Sequence, residues 1–172
     1  MLNKYFLFSL LTASSMTLFA RDLCLKTETV YFTCETYKSK KIISLCGSQS
    51  LSDSNSYLNY RFGTLKKIEL QFPQNNKNSL KKFSYAHYFR SKVDRTELSF
   101  ENENTTYTIY KYDENESNMK PVDSAGVRIT LKDQSSLEIK CRDFAKHKLN
   151  DLEPFVNCDE DNALNLNGCS KK

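Results

Sequence analysis

The stretch GVRITLKDQSSLEIKC, residues 126–141, carries the pattern that decides the fold. Its two halves, 126–132 and 136–141, each alternate apolar and polar residues, and the polar turn KDQS lies between them. A period of two is typical of β-strands that bury one face. The stretch therefore predicts an antiparallel hairpin.

Related segments occur along most of the chain. KKIELQFP, residues 66–73, alternates in the same way. Four other segments are rich in the β-branched and aromatic residues that favour strands: TVYFTC (29–34), KIISLC (41–46), YLNYRF (57–62) and TYTIYKY (106–112). Together with the turn signals between them, they predict a mainly β protein, an antiparallel β-barrel or sandwich of about eight to nine strands.

The pattern changes after the last strand. In RDFAKHKLNDLEPF, residues 142–155, Phe144, Leu149 and Leu152 recur near helical spacing, and Pro154 stops any continuation. This segment predicts a short C-terminal helix that packs on the sheet. Internal repeats and linkers are absent from the sequence, so we expect one domain.

The N-terminal residues have the layout of a secretory signal. Lys4 precedes sixteen uncharged residues, 5–20, which end in small side chains and Ala20. We therefore expect a signal peptide at 1–20, a single β-rich domain at 21–172, and a periplasmic or secreted location. A second apolar stretch long enough to cross a membrane is missing from the sequence, so no stable membrane insertion is expected after cleavage.

The six cysteines all follow the predicted signal peptide. An even number in an exported chain favours three disulfides, for which fifteen connectivities exist. The spacing around the basic turn KSKK (38–41) and the acidic loop DEDNALNLNG favours one of them: Cys34–Cys46, Cys158–Cys169 and Cys24–Cys141. Zinc would need a CxxC pair or histidines at ligand spacing, which the chain lacks, so neither a metal nor another cofactor is expected.

The segment FSYAHYFRSKVDRTELSF, residues 83–100, contains one of the two histidines. As two strands and a bend, it places His87 on an aromatic face, where a structural histidine is the usual outcome. The alternative is a small secreted hydrolase in which His87 and His147 act as a general acid and base. Lys92, Arg90 or Lys148 would then stabilise developing negative charge.

Signatures of catalysis are otherwise missing. The chain has no GxSxG, no HExxH and no glycine-rich phosphate loop. We therefore predict no catalytic residues and no enzymatic activity. The formal net charge of +4, with both signs interspersed, favours solubility rather than nucleic-acid binding.

Two family resemblances bear on function. The blocks VYFTCETYKSKKIISLCGS, YLNYRFG, IELQFP, FSYAHYFRSKVDRTELSFEN and GVRI, in this order, resemble an uncharacterised family of small exported proteins of Gram-negative bacteria. This resemblance implies a periplasmic location and brings no catalytic residues. FTCETYKSKKIISL is similar in outline to the first hairpin of C-type lysozyme inhibitors, which implies a disulfide-bonded antiparallel barrel. Their Ser-Gly-Ala-Lys-Tyr type loop is missing, and SAGVRI (124–129) is only loosely similar to it.

These observations predict a non-catalytic periplasmic binding protein, in the form of a hydrolase inhibitor or a toxin-immunity protein. Its expected partner is another periplasmic or secreted protein. Tyrosine and arginine are favoured interface anchors, and the candidates are Tyr57, Tyr60, Arg61, Tyr88 and Arg90. A third hypothesis is an assembly or structural accessory role in the envelope, which an exposed edge strand or apolar patch would favour.

Overall fold

The computed structural model describes residues 21–117, 119–142 and 146–165. The predicted signal peptide and Cys169, and with it the predicted Cys158–Cys169 bond, lie outside these ranges. The strands are β1 Thr29–Glu35, β2 Ile42–Gly47, β3 Leu58–Thr64, β4 Lys67–Phe72, β5 Ser84–Arg90, β6 Val93–Asn102, β7 Thr105–Glu114, β8 Val122–Thr130, β9 Ser136–Lys140, β10 Lys146–His147 and β11 Asn157–Cys158.

The strands form two sheets. The five-stranded sheet has the order β10-β1-β2-β3-β4, and the six-stranded sheet has the order β11-β5-β6-β7-β8-β9. Neighbouring strands are antiparallel except β11 and β5, which are parallel. The prediction of a mainly β, antiparallel fold is confirmed, and the arrangement is a sandwich-like pair of sheets rather than a closed barrel.

The hydrophobic core lies between the two sheets. Leu98, Ile109 and Val127 are directly opposite one another on β6, β7 and β8, and all three are fully buried. The ring of Phe100 stacks on Phe72 of the other sheet, with a centroid separation of 4.4 Å. The period-two alternation of the sequence thus becomes one apolar face on each sheet.

The segment after β9 returns to the five-stranded sheet. β10 pairs with β1, and a 3-10 helix, Leu149–Leu152, follows it, while another 3-10 helix, Ser79–Lys82, lies between β4 and β5. Leu149 and Leu152 are fully buried in the core. The predicted C-terminal helix therefore takes the form of one 3-10 turn, while Phe144 lies outside the described residues.

Two disulfides in the described residues differ from the predicted pairs. Cys24 is bonded to Cys46, and Cys34 is bonded to Cys141. The predictions of Cys34–Cys46 and Cys24–Cys141 are therefore wrong.

The register of the first hairpin explains this correction. Cys34 lies opposite Ile43, whereas Cys46 lies opposite Val30. Cys34 belongs to the hydrophobic core between the sheets. Cys46 is next to Leu45, which also belongs to the core, and the alternation along β2 turns Cys46 to the opposite face. Spacing in the sequence identified the hairpin but not which cysteines face each other.

The face of the five-stranded sheet that points away from the core is covered by residues 21–28. The N–H of Leu23 donates to Ser44 Oγ at 3.0 Å, and Thr33 Oγ1 donates to the carbonyl of Arg21 at 2.9 Å. The Cys24–Cys46 bond attaches the same segment to β2. This cover explains why every residue of β2 is buried.

Within the ranges described above, no helix has the length and apolar character needed to cross a membrane. The two disulfides fit a protein of an oxidising compartment, where such bonds persist.

Candidate binding groove

A groove with a volume of about 540 Å³ lies between β9 and the turn that joins β1 to β2. We call it the β9 groove. Its apolar lining comes from the turn, from β3 and from β9 with the residue after it: Tyr37, Phe62, Leu137, Ile139 and Cys141.

The two walls of the β9 groove are joined at one end. The N–H of Tyr37 donates to the carbonyl of Lys140 at 2.9 Å, and Thr36 forms an isolated β-bridge with Cys141. The Cys34–Cys141 disulfide adds a covalent link between β1 and the end of β9. These contacts fix the two walls relative to each other, as expected of a preformed site.

The groove leaves large apolar side chains in contact with solvent. Tyr37, on the wall formed by the turn, is 68% exposed, and Leu137, on the wall formed by β9, is 63% exposed. Phe62 contributes a half-buried ring between them, and Lys41 Nζ is 5.3 Å from the centroid of that ring. A cluster of exposed apolar side chains on facing walls indicates a binding surface more strongly than isolated exposed residues do.

The rim of the groove carries positive charge. Lys140 pairs with Glu138 at 3.3 Å, and Lys41 pairs with Glu69 at 2.6 Å. Among the ion pairs of the described chain, none involves Lys38 or Lys40. The turn therefore adds two exposed cations beside an apolar groove.

The predicted binding residues do not line this groove. Tyr60 is 1% exposed and belongs to the core, and Arg61 is 5% exposed. Neither side chain is accessible to a partner, so their prediction as surface anchors is corrected. Both lie on β3, where one face packs on the other sheet and the opposite face is covered by residues 21–28.

The other three candidates have surface positions. Tyr57 is half-buried, and its hydroxyl donates to Glu28 at 3.0 Å. Tyr88 and Arg90 lie together on β5, where Arg90 is exposed and pairs with Glu116 at 2.8 Å. Their role in binding stays a prediction.

Sequence reasoning missed the β9 groove for a physical reason. The alternation in SLEIKC places Leu137 and Ile139 on one face of the strand, and in the structure they lie opposite Ile129 and Val127 of β8. It could not show that β9 lies at the edge of the sheet, where no further strand of the described residues covers Leu137. Tyr37, an aromatic residue beside the basic run KSKK, was the available signal.

The two histidines lie on different sheets, His87 on β5 and His147 on β10. His87 Nε2 lies 2.9 Å from Asp94 Oδ1, and Asp94 is also among the charges that act on His147. Burial, together with the positive charge of Lys111, lowers the pKa of His147. The Nδ1 atom of His147 is buried and has no hydrogen-bond partner among the described residues.

Three aspartates lie side by side at this end of the six-stranded sheet. Asp94 is opposite Asp113, and Asp113 is opposite Asp123. Like charges in such a row are unfavourable, and the buried ammonium of Lys111 offsets them by pairing with Asp113 and Asp123. This arrangement satisfies a buried lysine and needs no ligand to explain it.

A second cluster occupies the outer face of the six-stranded sheet. Glu97 accepts hydrogen bonds from the Tyr112 hydroxyl, from Arg128 Nη1 at 3.1 Å and from Asn162 Nδ2 at 2.9 Å. Burial and the bond to Glu97 raise the pKa of Tyr112 to about 12. The cluster attaches the segment after β11 to the sheet, so its charged groups already have internal partners.

One group of potential metal ligands lies in the described residues, formed by Cys24, Glu28 and Cys46. The two sulfur atoms form a disulfide, and the Glu28 carboxylate is bound by Arg61. These atoms are therefore committed to other bonds and are poor metal ligands.

Comparisons with models of known protein families, with curated proteins and with solved structures found no match. The two resemblances stated from the sequence therefore stay predictions.

Proposed function

We propose that this protein is a non-catalytic binding protein of the periplasm or the secreted space, and that its partner is another exported protein. The observation that carries the proposal is the β9 groove, which presents exposed apolar side chains beside exposed lysines. A hydrolase inhibitor and an immunity protein against an envelope toxin are the concrete forms of this role.

The size and chemistry of the groove support binding. Its volume of about 540 Å³ lies within the usual range of ligand sites. Covering a leucine side chain contributes roughly 1.5–3 kcal/mol, so a partner that buries Leu137 and Tyr37 gains affinity from both walls. The lysines of the turn then favour partners with negative charge.

Export is part of the same proposal. The sequence of residues 1–20 predicts a signal peptide, and the Cys24–Cys46 and Cys34–Cys141 bonds suit an oxidising compartment. The Cys34–Cys141 bond also fixes one end of the groove, so binding should depend on oxidation.

The test compares three immobilised forms of residues 21–172, all oxidised: wild type, Leu137→Arg and Leu25→Arg. Leu25 is 60% exposed but lies outside the groove, so it is a matched control for Leu137. Each form is exposed to envelope and secreted extracts, and retained proteins are identified by mass spectrometry. We expect one stoichiometric partner that wild type and Leu25→Arg retain and Leu137→Arg loses.

Retention that is equal for all three forms would contradict the groove as the binding site. A blank result with well-folded wild-type protein would contradict the proposal itself. The identity of the partner separates the forms of the proposal, because an inhibitor retains a hydrolase or toxin and an assembly factor retains a structural subunit.

The second candidate function is a small secreted hydrolase. The observation in its favour is that His87 Nε2 lies 2.9 Å from Asp94 Oδ1, a histidine–carboxylate pair of the kind used in general acid–base catalysis. Hydrolysis of peptidoglycan, RNA or ester substrates by wild type, lost in both His87→Ala and His147→Ala, would establish it. We expect no hydrolysis by any of the three proteins.

A further inference from the structure

β9 is the last strand of the six-stranded sheet and pairs only with β8 in the described chain. The carbonyl of Lys140 accepts a hydrogen bond from Tyr37 and therefore points away from β8. Backbone groups alternate in direction along a strand. The N–H and C=O groups of Ser136 and Glu138 consequently also point away from β8, toward the open side of the sheet.

The side chains of β9 alternate in the same way. Leu137 and Ile139 line the groove on the inner face, opposite Ile129 and Val127 of β8. A strand added beside β9 would place every second side chain on this inner face. These side chains would enter the β9 groove and contact the ring of Phe62.

The charges at the end of β9 select among such strands. Lys38 lines the groove at the turn, next to the point where Tyr37 bonds to Lys140. Any strand that extends along β9 toward Lys140 ends against this turn. An acidic residue at that end would meet Lys38 and Lys40, which form no ion pair within the described residues.

We propose that the β9 groove binds an extended segment of the partner protein as an added β-strand. The backbone of this segment pairs with Ser136 and Glu138, and its alternate apolar side chains enter the groove. The acidic residue at its end contacts Lys38. This inference rests on the function proposed above and names the form in which the partner binds. Strand addition takes affinity from the backbone bonds and specificity from the pockets for alternate side chains.

A second copy of this chain suits the edge less well. The antiparallel pairing that centres two β9 strands on Glu138 places the two Glu138 side chains directly opposite each other, which is unfavourable. The turn at Tyr37 also occupies the edge at Lys140 and leaves only a short open stretch. Self-association is therefore an outcome that the test must exclude.

The probes are two capped synthetic peptides, acetyl-Glu-Val-Thr-Val-Thr-Val-Thr-amide and acetyl-Thr-Val-Thr-Val-Thr-Val-Glu-amide, which cover both strand directions. Titration calorimetry measures their affinity, and NMR hydrogen exchange follows the amides of Ser136 and Glu138. We expect one peptide to bind and to slow the exchange of these two amides. A matched peptide in which lysine replaces glutamate should bind more weakly.

Two variants at one position isolate the backbone contribution. Glu138→Pro removes an N–H that points away from β8, so it leaves the β8–β9 bonds in place. Glu138→Gln keeps that N–H and is the matched control. Because a backbone hydrogen bond is lost only in the proline variant, we expect Glu138→Pro to bind the peptide about tenfold more weakly than Glu138→Gln does.

The outcomes separate this inference from the proposed function. Strand addition would be overturned if Glu138→Pro and Glu138→Gln bound the peptide with equal affinity. It would also be overturned if neither peptide bound while Leu137→Arg still abolished partner capture. In both cases the groove would stay the binding site. Equal capture of the partner by wild type and Leu137→Arg would contradict both strand addition and the groove as the binding site. If sedimentation showed dimers for wild type and monomers for Glu138→Pro, the added strand would come from a second copy of this chain rather than from a partner protein.

Discussion

Arg61 binds both carboxylate oxygens of Glu28 on the outer face of the five-stranded sheet. Arg61 Nη1 donates to Oε2 at 2.5 Å and Nη2 donates to Oε1 at 2.9 Å. The exposed fractions of the two side chains are 7% and 0%. Arg61 Nη1 also donates to the carbonyl of Leu23 at 3.1 Å, so one side chain of β3 attaches residues 21–28 to the sheet.

We expect Glu28→Gln to destabilise the fold. The substitution leaves the buried guanidinium of Arg61 without a countercharge, and breaking a buried ion pair in this way costs about 3–5 kcal/mol. Urea unfolding at pH 7 measures the loss. Glu101→Gln, at an exposed position, is the control and should change stability by less than about 0.5 kcal/mol.

The contribution of Glu28 should depend on pH. Burial alone would raise the pKa of Glu28, but the hydrogen bonds from Arg61 and from the N–H of Leu25 lower it on balance. A carboxylate with a lowered folded-state pKa stabilises the protein above its unfolded-state pKa, and this stability is lost as the pH falls through the folded value. The difference between wild type and Glu28→Gln should therefore shrink in acid, and a constant difference would contradict the assignment.

The two disulfides should contribute unequally to stability. Cys34–Cys141 spans 107 residues and Cys24–Cys46 spans 22. Loop-closure entropy predicts losses of about 5 and about 3 kcal/mol when each pair is replaced by serine. Thermal and urea unfolding of the two double variants test this order, and a larger loss for the Cys24–Cys46 variant would contradict it.

His147 should make the stability depend on pH near neutrality. Burial and Lys111 lower its pKa in the folded state, against the opposing effect of Asp113, Asp94 and Asp123. Below about pH 6.5 the His147 ring is protonated in the unfolded chain while it stays neutral in the folded chain. The free energy of unfolding therefore falls as the pH drops below this value.

Each pH unit between the folded and unfolded pKa values costs about 1.4 kcal/mol. His147→Gln should therefore flatten the stability profile between pH 8 and pH 5, as measured by urea unfolding. NMR titration of the His147 ring gives the folded-state pKa directly, and an ordinary value would refute this prediction.

Gly126 positions β9 against β8. A Cβ atom at residue 126 would lie 2.4 Å from the carbonyl oxygen of Ile139 and 2.8 Å from the hydroxyl oxygen of Tyr110. We expect Gly126→Ala to displace β9, to cost about 1–3 kcal/mol of stability and to weaken binding at the groove. Ser124→Ala on the same strand is the control, and calorimetry with the peptide probes gives the readout.

The extent to which the sequence predicted the site differs from residue to residue. The alternation of FSYAHYF and of SLEIKC predicts which residues share a face, and in the ladders Tyr85 is opposite the core residue Leu98 and Leu137 is opposite Ile129. Residue type alone predicts Tyr60 and Arg61 as surface anchors, although both are buried. Alternation predicts which residues share a face, but it does not show what covers that face.

The sequence by itself determined the β-strands, their faces and the turns between them, because these depend on interactions between residues that are close along the chain. Only the tertiary structure decided that Cys34 bonds to Cys141, that Glu28 neutralises Arg61 and that β9 is left at an edge. These three results depend on which distant segments pack together. The β9 groove exists because the order of the described strands leaves Leu137 with a neighbouring strand, β8, on one side only.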